Sequence, residues 1–452
     1  MGRRRLVAGL GAAVALVVAT GVTIAAVATG PPSGSGSDGP AAAHDCGDGA
    51  LPLARTLSNG ATWQMCWSAE PDAGLVLEDV AYAPPGEAPV QVFVSLTLGQ
   101  LEVPYDTGRR TTEDITDQGF GGRHLRDLTE AECPGARLRG FVARLGPGSE
   151  GSERPVLCEE VVDGGVAFRA EEAGRTTVGR RTDLRLSTVS KVGWYEYVTQ
   201  YTFGADGSVR PALGATGDLS PADFTDDPAH GWPVGPGESD RAVSHAHNVV
   251  WRVHWGLGGP GGAAGTAPDA GTAGGLVVEQ YDAEPTGETG PRAPVLAGGL
   301  TRIATEQVAD AADRRWWRVV NPAVRNADDH AVSYEIDLGA TDSFAFTADH
   351  HDGHGGYDVA FTQADDCQRF ATANRDGHCG SGVPDFAADG ETLDDVVSWV
   401  AVGFHHVPRD EDQSPMELHW QGFTMAPRDL TAQRGDVPAG HEHVNGDVLG
   451  DG

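Results

Sequence analysis

Positive charge is scarce in this chain. Its 452 residues carry 32 Lys and Arg against 65 Asp and Glu, a formal net charge of −33 at pH 7. A surface this acidic repels phosphate, which excludes nucleic acid as a partner and argues against docking of the folded part on an anionic membrane. Cysteine is sparse too. There are six, with no Cys-x-x-Cys pair, so neither a redox dithiol nor a zinc ribbon is encoded. Helical periodicity is nearly missing, and only "RDLTEAEC" and "TRIATEQVADAADRRW" have modest helical character. No internal repeat is found, and beyond the N-terminus no apolar run is long enough to cross a bilayer.

Glycine and proline are plentiful, at 63 and 28 residues, which favours many short strands joined by turns. "VQVFVSLTL", "YEYVTQYTF", "VVWRVHWGL", "WWRVV" and "VVSWVAVGF" alternate or run apolar over strand lengths. The pattern predicts an all-β fold, a large antiparallel sandwich. The chain opens with "MGRRR" and an uncharged stretch from Leu6 to Gly30. A basic segment before an apolar run marks export, so residues 1–30 read as a signal peptide or a membrane anchor. Residues 31–45 follow as a flexible linker, 46–74 as an N-terminal segment, 75–440 as the main domain and 441–452 as a disordered tail. The glycine-rich 256–275 reads as a flexible excursion between two strands. The cysteines fall as near neighbours, Cys46/Cys66, Cys133/Cys158 and Cys367/Cys379. Local pairing is the simplest connectivity in an oxidising, extracellular compartment.

Three stretches carry chemistry. "SHAH" leads into an apolar strand, so His245 and His247 project from one face as a ready chelate. A third ligand is offered by "GFHHVPRDEDQSP" (403–415) or by "DHHDGHGG" (349–356), and three neutral imidazoles suit copper or zinc. "VPYDTGRR" holds Asp106 as either a turn cap or a positioned carboxylate. "VGWYEYVTQY" crowds Trp194, Tyr195, Tyr197 and Tyr201 onto one strand, where Tyr195 is either packing or chemistry.

The ordered set "YDTG", "VGWYEYV", "GATG", "HAH", "NP" and "HHVPRDED" resembles the catalytic domain of copper amine oxidases over roughly residues 75–435. The resemblance implies that fold and a topaquinone cofactor made from Tyr195, with Trp194, Glu196 and Tyr197 completing the quinone motif. It also implies Cu(II) on His245, His247 and His406, and Asp106 as catalytic base. The implied activity oxidises a small primary amine with dioxygen to an aldehyde, ammonia and hydrogen peroxide. A homodimer is implied, secreted or anchored by its N-terminal segment. A second metal, Ca2+, would use Asp395. Departures keep another reading open. Trp194 stands where the family has Asn, Lys191 where it has Thr, and His254 where it has a second-site Asp. Trp194 and Lys191 fit an extracellular domain that keeps the fold and copper without making the quinone, whereas His254 bears only on the second metal. A zinc hydrolase built on the same histidines, with Asp106 as base, is the third reading.

Overall fold

The structure, a computed structural model, describes residues 46–47, 49–143, 151–172, 174–236, 240–258, 275–341, 356–375 and 379–437. The expectations for 1–45, for most of 256–275, for the histidines of 349–356 and for the 441–452 tail fall outside these residues. The chain starts with β1 (Leu51–Thr56), β2 (Thr62–Glu70), β3 (Gly74–Ala83), β4 (Val90–Glu102) and the short α1 (Asp114–Asp117). There follow β5 (Ala136–Val142), β6 (Ser152–Glu172), β7 (Arg175–Val192), β8 (Tyr195–Gly204) and β9 (Val209–Gly217). Three short strands, β10 (Phe224–Thr225), β11 (Gly231–Pro233) and β12 (Arg241–Val243), precede β13 (His245–Trp255). Next come β14 (Val277–Thr289), β15 (Pro294–Ile303), β16 (Gln307–Ala309), β17 (Trp316–Arg325), β18 (Ala331–Asp337) and β19 (Val359–Gln363). The chain closes with α2 (Val383–Ala388), β20 (Val396–His406), a 3-10 turn at Asp410–Asp412, β21 (Met416–Gly422) and β22 (Thr424–Arg428).

Two large antiparallel sheets result, as the alternation of apolar residues requires. One has eight strands in the order β1-β2-β3-β4-β13-β20-β19-β16. The other has eleven described strands, with β9-β8-β7-β6-β5 along one side. Between them lies a continuous apolar core that includes Trp63, Trp67, Phe93, Tyr201, Phe203, Trp251, Trp255 and Trp317. Each large side chain fully withdrawn from water there contributes about 2 kcal/mol or more. The strand β8 is buried on its odd positions, Tyr195 through Phe203, as a strand with one face on the core must be. By contrast β13 is buried on both faces along most of its length. A second cluster, Val250, Tyr357, Ala360, Val383, Phe386 and Trp399 among others, covers the outer side of its sheet.

The three disulfides are the local ones, Cys46–Cys66, Cys133–Cys158 and Cys367–Cys379, and no cysteine is free. They point to an oxidising location outside the cytoplasm. No helix among the described residues is long and apolar enough to cross a membrane.

Two expectations are corrected. Residues 46–74 are not a separate segment: β1 and β2 are strands of the eight-stranded sheet, and Leu53, Trp63, Met65 and Trp67 are buried in the common core. The stretch 301–316 is not helical, because Gln307–Ala309 pairs with Val359–Phe361 as an edge strand. Sheet pairing there overrides a weak local preference.

Candidate active site

The histidines are fixed by strand register. His245 and His247 leave one face of β13, and the antiparallel pairing with β20 sets His406 directly opposite His245. All three are buried, with ligand-capable ring atoms within 4.8 Å of one another. Phe404, opposite His247, stacks on its ring at 5.1 Å.

The hydrogen-bond partners assign the ring nitrogens. His245 Nδ1 lies 3.0 Å from the Val243 carbonyl, which can only accept, so Nδ1 carries the proton and Nε2 is a lone pair. His406 Nε2 lies 3.0 Å from Asp412 Oδ2, which makes its Nδ1 the lone pair. These two lone-pair nitrogens face each other at 3.4 Å. His247 Nδ1 is buried without a hydrogen-bond partner. Burial, then the nearby His406, holds the His245 imidazole down to about 3, and burial drives His247 well below its usual value. His406 is lowered by burial despite the opposing pull of Asp412. No proton lies between His245 Nε2 and His406 Nδ1, and a cation placed there would join them. Three neutral imidazoles in this arrangement fit a borderline divalent ion such as Cu(II) or Zn(II).

Tyr195 reaches the same point from the opposite sheet. The hairpin between β7 and β8 turns on Gly193 and Trp194, with Val192 paired to Tyr195. Gly193 has φ +58°, the left-handed value that this tight turn needs at its first central position. Across from Tyr195, Gly217 has φ +105°, and a Cβ there would meet the Trp194 carbonyl at 2.8 Å. So the turn aims Tyr195 inward, and its hydroxyl donates to His245 Nε2 at 3.0 Å. Its ring meets that of His247 edge-on at 5.0 Å. The phenol is raised well above its ordinary range, by burial first and then by Tyr105, Asp223 and Asp114.

Tyr105 bridges to His245 through the backbone and packs its ring at 4.9 Å from the imidazole. Its phenol lies near that of Tyr195, and burial pushes it up to about 12. Arg110 lies over the Tyr105 ring and is paired with Asp223. Beyond Tyr195 its neighbour Tyr197, stacked on it at 5.8 Å, donates to Asp114 Oδ2 at 3.5 Å. Asp114 is 4% exposed, and burial raises its carboxyl to about 6 against the opposing effects of Thr112, Arg110 and Tyr197. Buried Gln100 fixes the start of α1, accepting from the Ile115 backbone at 3.1 Å and donating to Thr116 at 3.0 Å.

The structure does not bring Asp106 to Tyr195. Its side chain is 34% exposed and pairs with His405 Nε2 at 3.0 Å. His405 precedes His406 on β20, so its ring points to the other side of the sheet. Trp194 is 45% exposed beyond the turn rather than wedged against the Tyr195 ring. Glu196 faces outward to Lys191 at 3.2 Å. Tyr201 and Phe203 are core packing against Trp251 and Trp63. At the far end of β13, His254 Nε2 lies 2.7 Å from Asp395 Oδ1. Ca2+ requires a cage of oxygens, and this imidazole–carboxylate pair is not one.

Sequence reasoning singled out neither Asp114 nor Asp412, and gave Tyr105 no role. Carboxylates at 106, 113, 114 and 117 crowd one short stretch, and only burial ranks them. A weak signal was present, since Asp114 adjoins Ile115 in an otherwise polar run and Ile115 is fully buried.

The sequence pattern of the family described as "Copper amine oxidase, enzyme domain" matches residues 59–439. Primary amine oxidase 2 of Arabidopsis thaliana is 25% identical over 377 residues, covering 77% of this chain and 53% of that protein. Histamine oxidase of Arthrobacter globiformis is 25% identical over 399 residues, covering 81% and 54%. The chain thus spans about half the length of the curated relatives it matches. Its fold is that of a copper-containing benzylamine oxidase from Hansenula polymorpha, with TM-score 0.69 at 20% identity over 84% of this chain and 62% of the other. An Aspergillus nidulans amine oxidase superposes with TM-score 0.68 at 19% identity, over 90% and 56%. With the family pattern covering most of its length, this chain belongs to the copper amine oxidases and carries their enzyme domain.

Proposed function

We propose that the chain is a copper- and quinone-dependent oxidase that converts small primary amines and dioxygen to aldehydes, ammonia and hydrogen peroxide. The observation that carries this reading is the approach of the Tyr195 hydroxyl to His245 Nε2 at 3.0 Å inside a buried trio of imidazoles. Cu(II) would be held by His245, His247 and His406 and would activate dioxygen for the oxidation of Tyr195 to topaquinone, and that quinone would supply the electrophilic carbonyl and two-electron sink for the amine.

The remaining steps belong to the chain's own residues. We assign the base to Asp114 in place of Asp106. A base that takes a proton from the substrate carbon works best with a pKa near the operating pH, and burial lifts Asp114 to about 6. Its Oδ2 also touches Tyr197, which stacks on Tyr195. Asp106 is partly solvated and held by His405. Tyr105 orients the oxygen of Tyr195, and Arg110 with Asp223 holds the Tyr105 ring. Water is excluded by Phe120, Tyr197 and Phe404, which pack around the site. The outward position of Trp194 leaves the Tyr195 ring clear of the indole and supports the reading with the quinone.

The long hairpins β6–β7 and β14–β15 expose Val161, Val166, Val178, Leu296 and Leu300. A second copy of the chain covering these rows accounts for them as a homodimer. With three disulfides the reading is of an enzyme acting outside the cytoplasm.

The test is to reconstitute the metal-free full chain with Cu(II) in air. A visible quinone absorbance trapped by phenylhydrazine, and peroxide formed with simple primary amines, are expected. Tyr195→Phe is expected to bind copper and lose both signals. A chromophore that survives Tyr195→Phe, or none in the copper-loaded wild type, overturns the proposal.

A further inference from the structure

We infer that His406 is shared between two metal positions, the inner one described above and an outer one completed by Asp412 and His419. The two nitrogens of its ring point opposite ways: Nδ1 faces His245 at 3.4 Å, and Nε2 faces Asp412 Oδ2 at 3.0 Å. On the outer side, ligand-capable atoms of His406, Asp412 and His419 lie within 4.8 Å of one another. The His419 ring crosses that of His406 at 4.7 Å between centroids.

Asp412 is the unusual member. It is 1% exposed, and its Oδ1 is buried without a hydrogen-bond partner. A buried carboxylate oxygen left unpaired is costly, so its position calls for a cation. The nearest groups stop short of hydrogen bonding: His419 Nε2 and Arg409 Nε each lie 3.9 Å from that oxygen. Arg409 is drawn aside by Glu417 at 3.0 Å. The Glu417 carboxylate in turn stands 3.8 Å from His419 Nε2, within reach as a further oxygen ligand. Two ligands of a tetrahedral zinc lie about 3.3 Å apart, given bonds of about 2.0–2.1 Å. Closing this set around an ion therefore needs only a small inward shift. Two imidazole nitrogens and a carboxylate select a borderline divalent metal of the zinc class over a hard cation.

The exchange is balanced. The outer ion replaces the proton on His406 Nε2, which leaves to water, and the ring then carries a metal on each nitrogen. The inference rests on His406 holding copper through Nδ1, and the experiment separates the two claims.

The full chain is loaded with Cu(II), desalted and titrated with Zn(II), and both metals are counted per chain after a second desalting while the copper EPR spectrum is followed. The wild type is expected to keep zinc beside its copper, with a shift of the copper hyperfine pattern on zinc addition. His419→Gln is expected to keep copper, which reports an intact fold, and to lose the zinc and the shift. Copper without zinc in the wild type, or equal zinc in His419→Gln, overturns the outer site and leaves the inner one standing. A chain that takes up no copper overturns both.

Discussion

Histidine meets carboxylate at the rim of this sandwich and at its centre, with opposite results. At the rim, His254 is bonded to Asp395 and His405 to Asp106, each pair partly in water and closed on itself. At the centre, His245 and His247 have no carboxylate partner, and the Asp114 carboxylate touches only hydroxyls and the field of Arg110. The same residue types thus form quiet surface pairs where each finds its counter-charge. Where the fold withholds the counter-charge and the water, they stay buried with displaced titration, as the proposed base and metal ligands require. His406 stands between these cases, with Asp412 behind it and an open nitrogen in front.

The comparison is broken most severely by exchanging the roles of the two aspartates. Asp114→Asn is expected to lower kcat/KM by about 10²–10⁴-fold, the usual worth of a general base. Asp106→Asn is expected to change it no more than a few-fold. Stopped-flow reduction of the copper-loaded enzyme by amine reads both, and the reverse order would return the base to the rim. Asp114 must be ionised to accept a proton, and burial raises its carboxyl to about 6. Wild-type kcat/KM should therefore climb as pH rises through about 6, a limb that Asp114→Asn abolishes.

A smaller effect appears in the stability of the metal-free protein. His245 is held to about 3 when folded, and His247 and His406 are also lowered. An unfolded histidine titrates near about 6.5. Below that pH the unfolded chain takes up protons that the folded centre refuses. Stability is thus fully present above about pH 6.5 and falls with pH by about 1.4 kcal/mol per unit for each such histidine. Urea unfolding over a pH series should show a shallower decline in His247→Gln. Equal slopes would mean that the centre admits protons. His254→Gln at the rim should change stability by about 1 kcal/mol or less.

The smallest expected effect sharpens the contrast along β13 itself. His254→Asp would set a second carboxylate against Asp395 in place of the imidazole that now closes the pair. A modest rise in melting temperature on adding Ca2+ is expected in that variant and not in the wild type. A wild-type response would show that the pair already opens for a cation.

Much of this architecture is readable from the chain alone. Alternation on β8 put Tyr195 and Tyr197 on one buried face, and the spacing of His245 and His247 made them a chelate whatever the fold around them. Local cysteine spacing gave the disulfides. What stayed hidden was long-range: Trp194 looked like an intrusion because a sequence does not say which way a turn faces. The motif around Asp106 points to it as the base, and the linear sequence does not show that its carboxylate is partly exposed and paired with His405. His419 gave no signal at all, since β21 lies beside the centre only through its pairing with β9.

The sequence by itself determined the strands, the metal-binding residue types and the tyrosine, because these depend on period-two patterning and on the donor chemistry of single side chains. Only the tertiary structure decided which carboxylate is desolvated, which histidines stay neutral and what lies behind His406. Those properties come from burial and the field of neighbours far away in the chain, and the linear order of residues does not contain them.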